Sequence, residues 1–141
     1  MFLNLTNHPS AGWSEAQLME AQRRWGQVED LPFPAVNPRW EKAQLIETSN
    51  RLLAEVSMMA PEAVLCQGQT ALTCLLVAGF QRLGIPVYEA TSDRVSTEEV
   101  KEDGTVQKRA IFRFIMFREY PDLMDIEVFA RRSDNNREQG F

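Results

Sequence analysis

Three short runs of polar residues hold most of the side chains able to do chemistry in this chain. Thr6, Asn7, His8 and Ser10 form the first, and His8 is the one histidine present. Gln67, Gly68, Gln69 and Thr70 form the second, and Thr91, Ser92, Asp93 and Arg94 form the third. All three supply hydroxyls or amides. The first adds an imidazole and the third a guanidinium. Together they offer hydrogen-bond donors for phosphate oxygens, a proton carrier and a fixed positive charge. That set suits a phosphate or a nucleotide. Gly68 lets a backbone come close to a ligand. Each run also has a plainer reading, because loops are solvated and Ser and Thr commonly cap helices.

The elements around these runs explain why they would meet. AVLCQG, from Ala63 to Gly68, is a short apolar run that ends in polar residues, the pattern of a strand buried on both faces of a parallel sheet. From Thr70 the spacing predicts a helix to Leu83, stopped by Gly84, and IPVYEAT from Ile85 to Thr91 is again strand-like. This is a βαβ unit, whose crossover is right-handed. Ligands of open α/β sheets bind beyond the carboxyl ends of the strands, and all three polar runs sit at such predicted ends.

The remainder of the chain extends the same sheet. FLNLT, from Phe2 to Thr6, reads as a first strand, and Ser14 with Gln17 as a capping box for a helix to about Trp25. Gln27 to Leu31 is a short strand candidate, and LPFPAVNP an extended connection. A second helix is predicted from Arg39 to Met59. Arg94 to Tyr120 reads as a β-hairpin at the sheet edge, turning near Asp103-Gly104. The fold class is therefore α/β: a single Rossmann-like domain over residues 1–132, mostly parallel sheet flanked by helices, with a polar tail over 133–141.

Bulk properties limit the functions available. The 141 residues suit one domain, and 44% hydrophobic with 25% charged residues is ordinary for a globular chain. A net charge of −5 repels nucleic acid, so DNA is not an expected partner and any anion site has to be local. No basic region precedes an apolar run at the N-terminus, and no apolar run is long enough to span a bilayer. Cys66 and Cys74 read as buried thiols of a reduced, cytoplasmic protein, without the spacing of metal ligands. The patterns GxGxxG, GxxxxGK[ST] and GxSxG are absent, so neither a dinucleotide cofactor, a P-loop nor a nucleophile elbow is expected. No metal or other cofactor is expected.

The opening NLTNHP, the PFP connection, the strand running into QGxT, the ATSxR segment and the strand ending in FRFxxFREY resemble the small CRISPR-associated ring nuclease proteins, relatives of CARF-type sensor domains. The resemblance covers residues 2 to 120. It implies a homodimer that binds a cyclic oligoadenylate and cleaves it without a metal, the ribose 2′-hydroxyl attacking the adjacent phosphate. By position it carries over His8, Gln67, Gln69, Thr70 and Arg94. On that basis His8 and Arg94 are the catalytic candidates, with Asn7, Ser10, Gln67, Gly68, Gln69, Thr70, Thr91 and Ser92 holding the ligand. Two alternatives stay open: a dimeric sensor or sponge that binds without cutting, and a structural or partner-binding α/β protein.

Overall fold

A computed structural model describes residues 1–128; the expected tail over 133–141 and the last four residues of the expected domain lie outside the described residues. The chain runs β1 (Phe2–Thr6), α1 (Glu15–Trp25), β2 (Val28–Asp30), α2 (Lys42–Met59), β3 (Ala63–Gln67), α3 (Thr70–Arg82), β4 (Val87–Val100) and β5 (Val106–Glu119). The five strands form one sheet in the order β2-β1-β3-β4-β5. All neighbours are parallel except β4 and β5. The protein is thus an α/β protein with a mostly parallel sheet.

Alternation along the strands sends side chains to two cores. Leu3, Leu5, Val64, Cys66 and Val87 face the α2 and α3 side, where they meet Leu52, Val56, Leu72, Leu76 and Phe80. Phe2, Ala63, Leu65 and Tyr88 face the α1 side with Ala21, Phe117, Trp13 and Trp25. The second core is largely aromatic. Phe2 stacks on Trp25 at 4.1 Å between ring centroids and meets Phe117 edge-on at 5.1 Å.

Local chemistry sets the helix ends. The Ser14 hydroxyl accepts the Gln17 amide, as the sequence predicts. The second helix begins at Lys42 rather than Arg39, because the cap is Glu41, paired reciprocally with Gln44. The third helix starts at Thr70, with the Gln69 side chain accepting from the Leu72 amide at 2.8 Å.

The largest departure from the expected pattern is β4. The predicted strand end at Thr91 is no end: the strand continues to Val100 and forms an antiparallel ribbon with β5. The ribbon closes at Lys101–Thr105, where Gly104 takes a φ of 80° and Asp103 accepts from both the amide and the hydroxyl of Thr105. A bulge opposite Thr91 and Ser92 leaves Ile115 as the extra residue. An extra residue reverses the alternation, so Phe114 and Phe117, three positions apart, reach the same side and touch at 4.9 Å.

The cysteines do not match each other. Cys66 is buried, and desolvation pushes its thiol up to about 12, whereas Cys74 is exposed. The expectation of two buried thiols fails at Cys74 because its position on α3 turns away from the core that Leu72 and Leu76 enter. A thiol reagent at neutral pH should therefore titrate one sulfur in the native protein and two in denaturant. Equal labelling of both thiols in the native state would contradict this packing.

Candidate functional site

The α1 face of the sheet changes character along its length. At the amino ends of the strands it is apolar, through Phe2, Ala63 and Tyr88. Toward the carboxyl ends the same face carries Asn4, Thr6, Asp30 and Gln67. The helix α1 runs back over this face and its first turn lies above the polar end. Between the two is a cavity of about 630 Å³, lined by Thr6, Asn7, His8, Trp13, Ser14, Gln17, Gln67, Gly68, Thr91, Ser92, Phe112 and Phe114 among others.

Seven residues predicted from the polar runs meet there: Thr6, Asn7, His8, Gln67, Gly68, Thr91 and Ser92. Ser10, Gln69, Thr70 and Arg94 are not among the lining residues. Ser10 donates its amide and hydroxyl to the Asp30 carboxylate, the hydroxyl at 2.9 Å. Gln69 is the α3 cap, and Thr70 opens the helix behind it. Arg94 is exposed on the ribbon directly opposite Phe112, so the two share a ribbon face.

A buried network holds the His8 loop. Asn4 is 1% exposed, and its amide donates at 2.8 Å to both the His8 carbonyl and Asp30. The Asn4 carbonyl oxygen accepts from the Thr6 hydroxyl at 2.8 Å, and Thr6 accepts from the His8 amide at 3.1 Å. The Trp13 indole also donates to the His8 carbonyl, at 3.2 Å. The His8 backbone is thus fixed at both its N–H and its C=O. Its imidazole is left exposed beside the cavity.

The cavity exists because β3 and β4 part early. They pair only at Val64↔Val87 and Leu65↔Tyr88. A continued parallel ladder would join the Ala90 amide to the Cys66 carbonyl. Each finds a side chain instead. Gln67 Oε1 accepts from the Ala90 amide at 2.9 Å, and the Tyr120 hydroxyl donates to the Cys66 carbonyl at 2.8 Å. Burial pushes the Tyr120 phenol above its usual range, so it stays a donor. With Oε1 engaged, Gln67 retains its Nε2 for other partners.

Sequence reasoning missed Trp13, Gln17, Phe112 and Phe114 in the lining, and Asn4 and Asp30 beneath it. The alternation of Phe112, Arg113 and Phe114 does signal that both rings share one strand face. Asp30 gives no such signal, because its pairing with Asn4 depends on strand order. No group of three or more His, Cys, Asp or Glu suited to a metal ion occurs among the described residues. No helix among them is long and apolar enough to cross a membrane.

Compared with protein families, the chain matches the model of the uncharacterized protein MJ1673 family over residues 1–118. No curated protein matches it.

Gly68 has a second reason to be glycine. A Cβ there would stand 2.5 Å from Cδ1 of Phe33, which is 6% exposed in the α2–α3 core. Gly68→Ala should destabilise the protein by about 1–3 kcal/mol in urea titration, the cost of overpacking. Unchanged stability with weakened ligand binding would instead make close approach of a ligand the only reason for glycine.

Proposed function

The chain belongs to the uncharacterized protein MJ1673 family, and we propose from the geometry of its cavity that it binds a cyclic oligoadenylate and cleaves it without a metal ion. The protein is then a Rossmann-like, CARF-related ring nuclease of antiviral defence. One observation carries this reading: a cavity at the carboxyl end of the sheet gathers the one histidine, hydroxyls, amides and aromatic rings in a space of about 630 Å³. That is within the size range of small-ligand sites.

The chemistry needs little more than position and a proton carrier. The ribose 2′-oxygen attacks the neighbouring phosphorus as the P–O5′ bond breaks, leaving a 2′,3′-cyclic phosphate and a free 5′-hydroxyl. His8 takes the 2′-hydroxyl proton as general base, or supplies one to the departing 5′-oxygen as general acid. The clamp on its backbone holds the imidazole near the attacking group, which favours an in-line geometry. Ser14 and Gln17 bring the positive end of the α1 dipole to one wall. Thr91 and Ser92 donate to phosphate or ribose oxygens, and Asn7 and the Gln67 Nε2 orient the ribose or base beside His8. Arg94, opposite Phe112 on the same ribbon face, is not itself a lining residue and adds positive charge from beside the wall.

A binding-only sensor or sponge is favoured by a different observation: among the described residues no Lys or Arg lines the cavity. A pentacovalent phosphorane gains charge that the lining would stabilise only through dipoles. Incubation with cyclic tetra-adenylate and cyclic hexa-adenylate, with and without EDTA, followed by chromatography, separates the two readings. Turnover should persist in EDTA. His8→Ala should slow it by about 10²–10⁴-fold with little change in affinity. A ligand that binds but is never cut, with His8→Ala altering affinity alone, would leave the sensor reading in place.

The same reading includes a homodimer. Met116 and Ile111 lie on the ribbon face away from the cavity and are 50% and 54% exposed, on the edge strand of the sheet. An apolar edge left open invites pairing with another chain. Light scattering should give the mass of two chains, and Ile111→Lys should return it toward one. A monomer at high concentration would overturn the dimer.

A further inference from the structure

One wall of the cavity is aromatic. Phe112 and Phe114 both line it, opposite Arg94 and Ser92 of the neighbouring strand. They lie two residues apart on β5 and so share a face. Phe114 is steadied by its contact with Phe117 at 4.9 Å. Phe112 makes no ring contact among the described residues and is 71% exposed. A phenyl ring left in water at a cavity rim forgoes the burial that normally draws such rings inward.

The spacing points to an occupant. Side chains two apart on an antiparallel strand are separated by about 6.8 Å along it. That is roughly twice the 3.4 Å rise of stacked bases, so one planar ring fits between two others. The charge of the wall agrees. Among the described residues no Lys or Arg lines the cavity, so no fixed cation of that lining pairs with a phosphate. Besides His8, the described lining offers the amides of Gln17 and Gln67 and the hydroxyl of Ser92, none of which ionises. Neutral amides suit the donor and acceptor edge of a nucleobase.

We propose that the cavity holds its ligand by the nucleobase, stacked against Phe112 and Phe114 and read at its edge by Gln17 and Gln67, with the phosphate adding little. The inference rests on the nucleotide reading of this cavity and identifies which part of the nucleotide supplies the affinity. Sheet aromatics serve as base platforms in single-strand binding proteins by the same physics.

Calorimetry with adenosine, adenosine 5′-monophosphate and ribose 5-phosphate tests it. Adenosine and its monophosphate should bind with comparable affinity, and ribose 5-phosphate about tenfold or more weakly. Phe112→Ala should weaken adenosine by about 5- to 150-fold, and Phe112→Trp should retain binding. Because Phe112 is exposed, circular dichroism of both variants should match the parent. Adenosine failing to bind, ribose 5-phosphate matching the monophosphate, or Phe112→Ala leaving adenosine unchanged would each overturn the proposal. Parallel assays with cyclic tetra-adenylate keep the two readings apart. If Phe112→Ala binds and cuts it as the parent does, stacking falls and the ring-nuclease reading stands. If adenosine binds as expected but cyclic tetra-adenylate does not, the ring-nuclease reading falls and base stacking stands.

Discussion

Parallel strands buried on both faces must satisfy every backbone N–H and C=O, and this protein meets that demand unusually at the carboxyl end of its sheet. The β3–β4 ladder stops after Leu65↔Tyr88. Two side chains take over the freed groups, Gln67 at the Ala90 amide and Tyr120 at the Cys66 carbonyl. A buried amide or carbonyl without a partner costs about 1–3 kcal/mol, so an open sheet end needs such substitutes. With them, the strands separate and leave space on the α1 side. On the other side Phe33 closes against Gly68, where only a glycine leaves room for the ring. The cavity and the core thus share the same short stretch of chain.

The adjoining strand applies the same rule to side chains. All five residues of β1 are buried, and two of them are polar. Asn4 and Thr6 are satisfied by each other, by Asp30 and by the backbone of residue 8. A network of this kind is stable when every member has a partner. Its by-product is a loop whose backbone is fixed while its imidazole stays accessible, an arrangement in which a group is positioned before any ligand arrives. Ser10 is drawn to Asp30 in the same network, which explains why it supports the loop rather than lining the cavity.

Electrostatics narrow what such a cavity can do. The chain carries −5 overall, and among the described residues no Lys or Arg stands in the cavity wall to offset it. Attraction of an anion then depends on the α1 dipole and on neutral donors, each worth little alone. On the proposed nucleotide reading, stacking and shape carry more of the affinity. The β4–β5 ribbon supplies both, because its bulge turns Phe114 to the cavity side and the following alternation brings Phe112 with it. Beyond that point the ribbon has little behind it: most of its residues out to Val100 and Val106 are exposed.

What was legible in the sequence was local. Apolar runs bounded by Gly and Pro marked β1, β3 and α3, and the Ser14 cap and the Asp103-Gly104 turn were visible as motifs of a few residues. Strand-end position also brought Thr6, Asn7, His8, Gln67 and Gly68 to one cavity, because a parallel sheet aligns its carboxyl ends whatever the details. Thr91 and Ser92 reached the cavity for another reason, from within a strand that does not end there. Only the tertiary structure decided that continuation, since polar residues with β-type composition fit a loop or an exposed ribbon equally well until a partner strand is present. It also decided the roles of Asn4 and Asp30, which lie 26 positions apart and become neighbours only when β2 takes the sheet edge beside β1. Short-range patterns fix the elements, because propensity, capping and turn chemistry act within a few residues. Which side chains share a wall is set by strand order, register and one bulge, and those come from packing over the whole chain.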